Sequence, residues 1–333
     1  MEFHPAAPSA TGADSMTLSR DCDPVRVLLI GDATDPHVST ILARLPKQGT
    51  VVIDASTLPS ALYRLSPGEG TFVDLAGEQV CLSSEADARG WIRRLAPAGW
   101  DTGTVLGSRA AARLAARMTV LAALLRDARV SWMCGVDALF AAENKLVQYR
   151  AAQLAGMRVP ETFVCTDPAY LAAELGEPFV IKPLGPGNFM TDDGRDQVVH
   201  TKAVTAQELA RADLLSAPFL AQRLLTARAH LRIVTVDGHA WTAELDASGL
   251  PLDWRETARA HRSFVPSSRW CGVEQDALRL AKRMQTAFTC QDWIVDDAGP
   301  AFVDLNPGGQ WLFLPDSMTA QIADSLANWL RGA

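Results

Sequence analysis

The stretch from Gln291 to Pro307, Gln-Asp-Trp-Ile-Val-Asp-Asp-Ala-Gly-Pro-Ala-Phe-Val-Asp-Leu-Asn-Pro, constrains this chain more than any other. Apolar residues flank an Asp-Ala-Gly turn, which predicts two short antiparallel strands. Side chains two apart on a strand share a face, so Asp304 and Asn306 project together while Leu305 turns into the core. Asp292, on the neighbouring strand, can join them. Three hard oxygen donors suit Mg²⁺, which takes one or two carboxylates plus phosphate oxygens. A neutral Asn in the set leaves room for negative charge brought by a nucleotide. The same residues also suit an ordinary hairpin with a solvated acidic face, and the hairpin alone does not choose.

The length of 333 residues exceeds what one compact core organises and predicts two or three lobes. Hydrophobic residues at 48% and charged residues at 21% are those of a soluble globular protein. No apolar run approaches the roughly 20 residues of a membrane span. A net charge of −7 leaves no broad basic surface, so nucleic acid is not an expected partner. The six cysteines show no paired spacing, which argues against a zinc site and a disulfide framework and favours the cytoplasm. Residues 1–23 have no apolar core of a signal peptide and are expected to be a disordered tail.

In chain order, Val25–Ile30 reads as a buried parallel strand, 35–45 as a helix and Val51–Ile53 as a second strand. This βαβ opening lacks G-x-G-x-x-G, so no dinucleotide site is expected. Residues 71–82 read as a hairpin. Trp91-Ile92-Arg93-Arg94 reads as a strand whose arginines are a solvated edge or line a cleft. Residues 108–126 form a long helix, and 130–133 a strand closing the first sheet. Residues 137–155 read as one helix, stopped by Gly156 and carrying Lys145. Then come an extended 159–164, a short helix opened by Pro168, and a strand 179–184. Strands at 197–201 and 219–225 flank a helix at 206–212. A hairpin follows, 231–236 and 239–245 around Asp237-Gly238, then helices at 274–288 and 318–331.

Lys182 ends an apolar strand just before Gly185-Pro186-Gly187-Asn188-Phe189. A charge there needs a partner, since burying it alone costs several kcal/mol. A salt bridge supplies one; so does a phosphate, with loop N–H groups covering the rest. The order is then specific: Lys145, Lys182, Arg232 on a hairpin, and Asp292 with Asp304-x-Asn306. Two lysines around a small lobe with a later oxygen triad form a nucleotide clamp, with the arginine placed to stabilise developing negative charge.

At this point the sequence resembles the ATP-grasp ligases, and within them the ribosomal-peptide maturases that make graspetides (microviridin-like omega-ester and omega-amide peptides). Trp91-Ile92-Arg93-Arg94 resembles a W-x-R-R stretch. Lys145-Leu146-Val147-Gln148 resembles K-x-x-Q, and Val159-Pro160-Glu161-Thr162 resembles V-P-x-T. Val180-Ile181-Lys182 is similar to the segment with the second nucleotide lysine. Leu231-Arg232-Ile233-Val234, Asp253-Trp254-Arg255 and Asp304-Leu305-Asn306-Pro307-Gly308-Gly309-Gln310-Trp311 resemble L-R-V, D-W-R and E-x-N-P-x-G-Q-W. The likeness runs over about residues 25 to 330.

The resemblance implies an α/β (α+β) ATP-grasp fold: a parallel-sheet pre-ATP-grasp lobe at 24–135, a small central lobe at 136–225, and an antiparallel-sheet lobe with the metal site at 226–333. It implies that Lys145 and Lys182 contact ATP phosphates and that the loop with Gly185 and Gly187 closes over them. The segment from Gln222 to Leu225 would read adenine, while Asp292, Asp304 and Asn306 would hold Mg²⁺. Arg232 and Arg255 would meet the substrate carboxylate and its phosphorylated form. The implied reaction phosphorylates Asp or Glu side chains of a precursor peptide and closes omega-ester or omega-amide rings. The partner would be that peptide with its leader, docked near Arg195–Arg211, and the protein a homodimer. The chain departs from the resemblance at Arg223, where Glu is usual, at His230, where Asp is usual, and at Asp304 in place of Glu. A ligase with a separate nucleophile and a non-catalytic nucleotide-binding module remain the alternative readings.

Overall fold

A computed structural model describes residues 25–54, 62–65, 70–73, 79–82, 87–94, 105, 107–184, 188–190, 196–198, 201–211 and 218–333. The expected tail at 1–23 lies outside them.

The first sheet is parallel, ordered β2 (Thr50–Ile53), β1 (Val27–Ile30), β6 (Ala88–Ile92), β7 (Val130–Trp132). Both faces are covered, as the unbroken apolar run of β1 requires. Leu28 and Ile30 pack with Leu121 and Leu124 of α2 (Arg109–Leu124). Val27 and Leu29 pack with Val38 and Ile41 of α1 (Pro36–Leu42). The expected hairpin is a three-stranded sheet of β3 (Leu62–Leu65), β4 (Gly70–Val73) and β5 (Gln79–Leu82).

The single helix expected at 137–155 is two, α3 (Val136–Glu143) and α4 (Lys145–Leu154). Apolar periodicity runs through the join, but Asn144 leaves the helical region at φ −87°, ψ 110°. Its Oδ1 accepts from the N–H groups of Leu146 and Val147, so the same residue that ends α3 caps α4.

The central sheet runs β12 (Lys202–Val204), β9 (Phe179–Pro183), β13 (Phe219–Arg223), β8 (Thr162–Val164). Phe179, Ile181, Phe219 and Ala221 pack on α5 (Pro168–Leu175) and α6 (Ala206–Arg211). The alternate residues Val180, Lys182 and Gln222 face the other way, into a cleft. A two-stranded ribbon, β10 (Asn188–Met190) with β11 (Asp196–Val198), stands beside this sheet in sequence.

The last sheet is antiparallel: β16 (Val265–Pro266), β15 (His239–Asp246), β14 (Ala229–Val236), β17 (Phe288–Asp296), β18 (Gly299–Asn306). The helix expected at 274–288 is α7 (Cys271–Arg283), and Phe288 already belongs to β17. Leu231, Ile233, Trp293 and Leu305 pack on α4 and α7 from one face. On the other face Val234, Val236, Phe288 and Cys290 share a core with Trp91 and with Ile322 and Leu326 of α8 (Asp316–Arg331). That apolar face stops two residues further along each strand, where Arg232, Asp292 and Asp304 begin. Among the described residues, no helix is long and apolar enough to cross a membrane.

Candidate active site

Arg232, Asp292 and Asp304 stand in one register row across β14, β17 and β18. Directly opposed residues point to the same face, so the row presents one guanidinium and two carboxylates side by side. The register slips just beyond it: Asp292 pairs with Asp304, Trp293 with Phe302, and Val303 is the extra residue. This bulge re-aims the strand beside Asp304.

β18 is an edge strand, and its outward backbone groups need partners. Gln148, buried in α4, supplies them: its Nε2 donates to the Leu305 carbonyl at 2.7 Å, and its Oε1 accepts from the Leu305 N–H at 2.9 Å. The Tyr149 hydroxyl donates to the Val303 carbonyl at 2.9 Å. Asp304 is therefore gripped on both sides, and α4 is docked with its first residue, Lys145, ion-paired to Asp304 Oδ1. The K-x-x-Q spacing signals Gln148, because residues three apart lie on one helix side.

Arg232 is buried. Its Nη1 donates to Asp292 Oδ1 at 2.8 Å and its Nη2 to the Gln310 carbonyl at 2.8 Å. Its Nε is buried with no partner, and the guanidinium lies 5.8 Å from the Phe313 ring. Desolvation opposes the charge, but Asp292 outweighs it and raises the pKa further. Burial pushes the Asp304 carboxyl up; Lys145, Lys182 and Arg232 outweigh that and hold it below the usual carboxylate range.

Asn306 is exposed at the end of the same face, its Oδ1 accepting from the Gly308 N–H at 2.9 Å. The turn after it is packed from both sides. A β-carbon on Gly309 would collide with Cys290 Cβ and crowd Arg232 Nη2 at 3.2 Å. Arg93 donates to the Gly308 carbonyl, and the Trp311 N–H donates to His37 Nε2 at 3.2 Å. His37 thus carries its proton on Nδ1, which donates to Asp35 Oδ1 at 2.9 Å. Burial pushes its pKa down, keeping the ring neutral. Of the paired arginines, Arg93 is buried against Asp35 and braces the turn.

Asp292 and Asp304, with Lys145, line a cleft of about 610 Å³ between the central and last sheets. Lys182 enters from β9. Desolvation, then the charge of Lys145, pushes its ammonium down to about 8. Leu225 and Leu224 line the cleft, and among the described residues their backbone groups carry no hydrogen bond. Gln222 lines it too, but its amide donates to Thr162 Oγ1 at 2.9 Å. Arg223 turns away: its guanidinium holds Glu161 and the carbonyls of Glu174 and Leu175 that end α5. His230, two residues before Arg232, is buried at the wall, and desolvation pushes its pKa down. Gly185 and Gly187 lie outside the described residues, as does Arg195.

Arg255 reaches the cleft from a 3-10 turn at Trp254–Glu256. Its Nε and Nη2 fork onto Asp253 at 2.7 and 2.6 Å. Asp253 is buried, and the Thr201 N–H at the foot of β12 also donates to it. Burial raises the Asp253 carboxyl; the Arg255 fork outweighs this and keeps it ionised. Sequence reasoning took Arg255 from the D-W-R motif and passed over Asp253, whose position before a turn marked it as a cap.

The donors fit a hard cation shared with phosphates. Asp292 and Asp304 each have Oδ1 held by a cation, while Oδ2 has no partner among the described residues. No group of three His, Cys, Asp or Glu side chains capable of holding a metal occurs among them, so two carboxylates and a neutral amide are the available set.

No family model and no curated relative matches the chain. Several solved structures do. A RiPP-associated ATP-grasp ligase of Chryseobacterium gregarium, in complex with ADP and a leader and core peptide, superposes with a TM-score of 0.77 at 20% identity, over 92% of this chain and 96% of that one. The macrocyclase MdnC of Microcystis aeruginosa MRC, bound with precursor peptide MdnA, gives a TM-score of 0.77 at 20% identity over 92% and 99%. The ATP-grasp ligase PsnB, complexed with a phosphomimetic variant of minimal precursor, Mg and ADP, gives 0.69 at 20% over 92% and 98%. With both chains covered almost end to end, this chain has the ATP-grasp fold, in the arrangement found in these peptide-modifying ligases.

Proposed function

We propose that the protein is an ATP-dependent carboxylate ligase that closes omega-ester or omega-amide links within a ribosomally made precursor peptide. The observation that carries this reading is that Asp292 and Asp304 of the register row face Lys145 and Lys182 in one cleft, with Arg232 of the same row ion-paired to Asp292. A carboxylate does not acylate an alcohol or amine in water, because its oxygen is a poor leaving group. In the proposed reaction, an Asp or Glu side chain of the peptide attacks the γ-phosphorus of ATP. The bond to the β-phosphate oxygen breaks, giving an acyl phosphate and ADP. A Ser or Thr hydroxyl, or a Lys amine, then attacks the acyl carbon and gives up its proton as phosphate leaves. The peptide loses one water per link.

What such a reaction needs from a protein is placement and charge compensation. Lys145 and Lys182 bind phosphate oxygens, and the backbone of Leu224 and Leu225 is open to the adenine edge. Arg232 and Arg255 meet the carboxylate as it becomes an acyl phosphate. Asp292, Asp304 and Asn306 would hold Mg²⁺. Bound there, the ion neutralises charge on the phosphates. Asp253 positions Arg255.

The finer organisation belongs to the same proposal: lobes at 24–135, 136–225 and 226–333, a leader docked near the segment 195–211, a homodimer, and action in the cytoplasm, where ATP is plentiful. Exposed Lys202 and Arg211 support the leader surface. To test the reading, the purified protein is incubated with Mg-ATP and the acidic peptide encoded beside its gene, and the peptide is weighed. Loss of one or more waters that requires ATP is expected; an unchanged peptide beside consumed ATP would replace this reading with a ligase that joins a separate nucleophile.

A further inference from the structure

Lys145 and Arg255 of the cleft are engaged by Asp304 and Asp253, and Arg232 beside it by Asp292, while Lys182, with no ion pair among the described residues, is assigned above to the nucleotide. A peptide rich in carboxylates needs positive charge outside the cleft for the side chains not being activated. The chain as a whole has a net charge of −7, yet from Thr257 to Trp270 it holds Arg259, Arg262 and Arg269 and not one Asp or Glu. The stretch follows Arg255, with Glu256 between them.

The structure fixes this stretch beside the site. Trp254 packs on His261 with ring centroids 5.0 Å apart and on Phe264 at 5.1 Å. His261 meets Phe313 at 5.4 Å, and Phe313 carries the Arg232 guanidinium at 5.8 Å. Two ring contacts therefore connect the segment to Arg232 of the register row. Ala260 and Phe264 are buried beneath it, while Arg259 and Arg262 stand exposed on its outer side. Arg269 is engaged by Glu244, whereas Arg259 and Arg262 have no ion pair among the described residues.

We propose that Arg259 and Arg262 form a docking surface for the acidic acceptor stretch of the peptide substrate, which they hold across the rim while one carboxylate enters the cleft. This rests on the ligase reading above for the identity of the peptide. Exposed charges attract weakly and are screened by salt, so the surface contributes through several contacts at once.

The test uses the full chain and a fluorescein-labelled synthetic peptide of alternating Glu and Thr, with a Gln-Thr peptide of the same length as control. Binding is followed by fluorescence anisotropy at low and high salt, and Mg-ADP affinity is measured in parallel. Wild type is expected to bind the Glu-Thr peptide, more weakly at high salt, and to ignore the Gln-Thr peptide. Arg259→Glu/Arg262→Glu should weaken binding by about tenfold or more, since two exposed pairs become repulsions. Arg259→Ala/Arg262→Ala should weaken it by less. Both variants should bind Mg-ADP as wild type does, which also shows that they are folded. Equal affinity of wild type and the charge-reversed variant, binding of the Gln-Thr peptide, or no binding by wild type would each overturn the proposal. Failure of Mg-ADP to bind the wild type would instead strike the ligase reading and leave the peptide surface standing.

Discussion

Lys182 carries the site's most testable residue-scale property. Its ammonium is held down at about 8 by desolvation and by Lys145. A phosphate set beside it raises that value in the complex, so above pH 8 nucleotide binding takes up a proton. Affinity is then full from about a pH unit below 8 downward and falls as pH climbs through 8 toward the pKa of the bound state, by up to about tenfold per pH unit. Isothermal titration with a non-hydrolysable ATP analogue across this range should show the fall in wild type and a flatter profile in Lys182→Arg, whose guanidinium stays charged. A flat wild-type profile would remove Lys182 from the phosphates. Asp292 answers a second question. Its Oδ1 orients Arg232 while Oδ2 is open, so Asp292→Asn keeps the shape and loses the charge. We expect Mg²⁺-dependent nucleotide binding to drop by about 10- to 100-fold or more, as when groups around a metal are altered. Metal-free nucleotide binding should change far less.

At the scale of elements, the decisive contact is α4 on the edge of β18. The period of two in Asp304-Leu305-Asn306, with Asp292 across the turn, was enough to bring the oxygen donors to one face, because strand geometry is local. The docking of α4 was not legible in the same way. Gln148 and Leu305 are 157 residues apart, and only the folded chain shows that a glutamine closes the edge. The break at Asn144 was hidden because alanine-rich periodicity runs across it, and Arg93 read equally well as solvated edge or cleft wall. The segment proposed to read adenine was legible only in part: Leu225 presents open backbone, but the amide of Gln222 is taken by Thr162. Gln148→Leu would leave both backbone groups of Leu305 buried without partners. At roughly 1–3 kcal/mol for each unsatisfied group, we expect a loss of about 2–4 kcal/mol in urea unfolding. A loss below half of this would mean that water reaches the edge strand.

Over the whole molecule, the cleft lies between the central and last sheets, and the turn 306–311 beyond Asp304 is braced between the first and last sheets. The first sheet contributes Arg93 and, through α1, His37; the last contributes Asn306 and Arg232 beneath the turn. Arg93→Met removes one side of a buried pair with Asp35 and frees the Gly308 carbonyl. Leaving a buried charge without its partner is typically worth about 3–5 kcal/mol. We expect destabilisation toward the lower end in thermal unfolding, since Asp35 is partly exposed, together with weaker Mg²⁺ dependence of nucleotide binding. Destabilisation with Mg²⁺ dependence intact would make Arg93 a brace for the fold alone. The account as a whole stands on activation of a substrate carboxylate by ATP in this cleft. The most direct measurement gives the protein Mg-ATP and the acidic precursor with its side-chain carboxylates labelled with heavy oxygen, and weighs the phosphate released. An acyl phosphate must break at the carbon, so the account predicts one labelled oxygen in each phosphate formed with a link. Unlabelled phosphate accompanying linked peptide would contradict it.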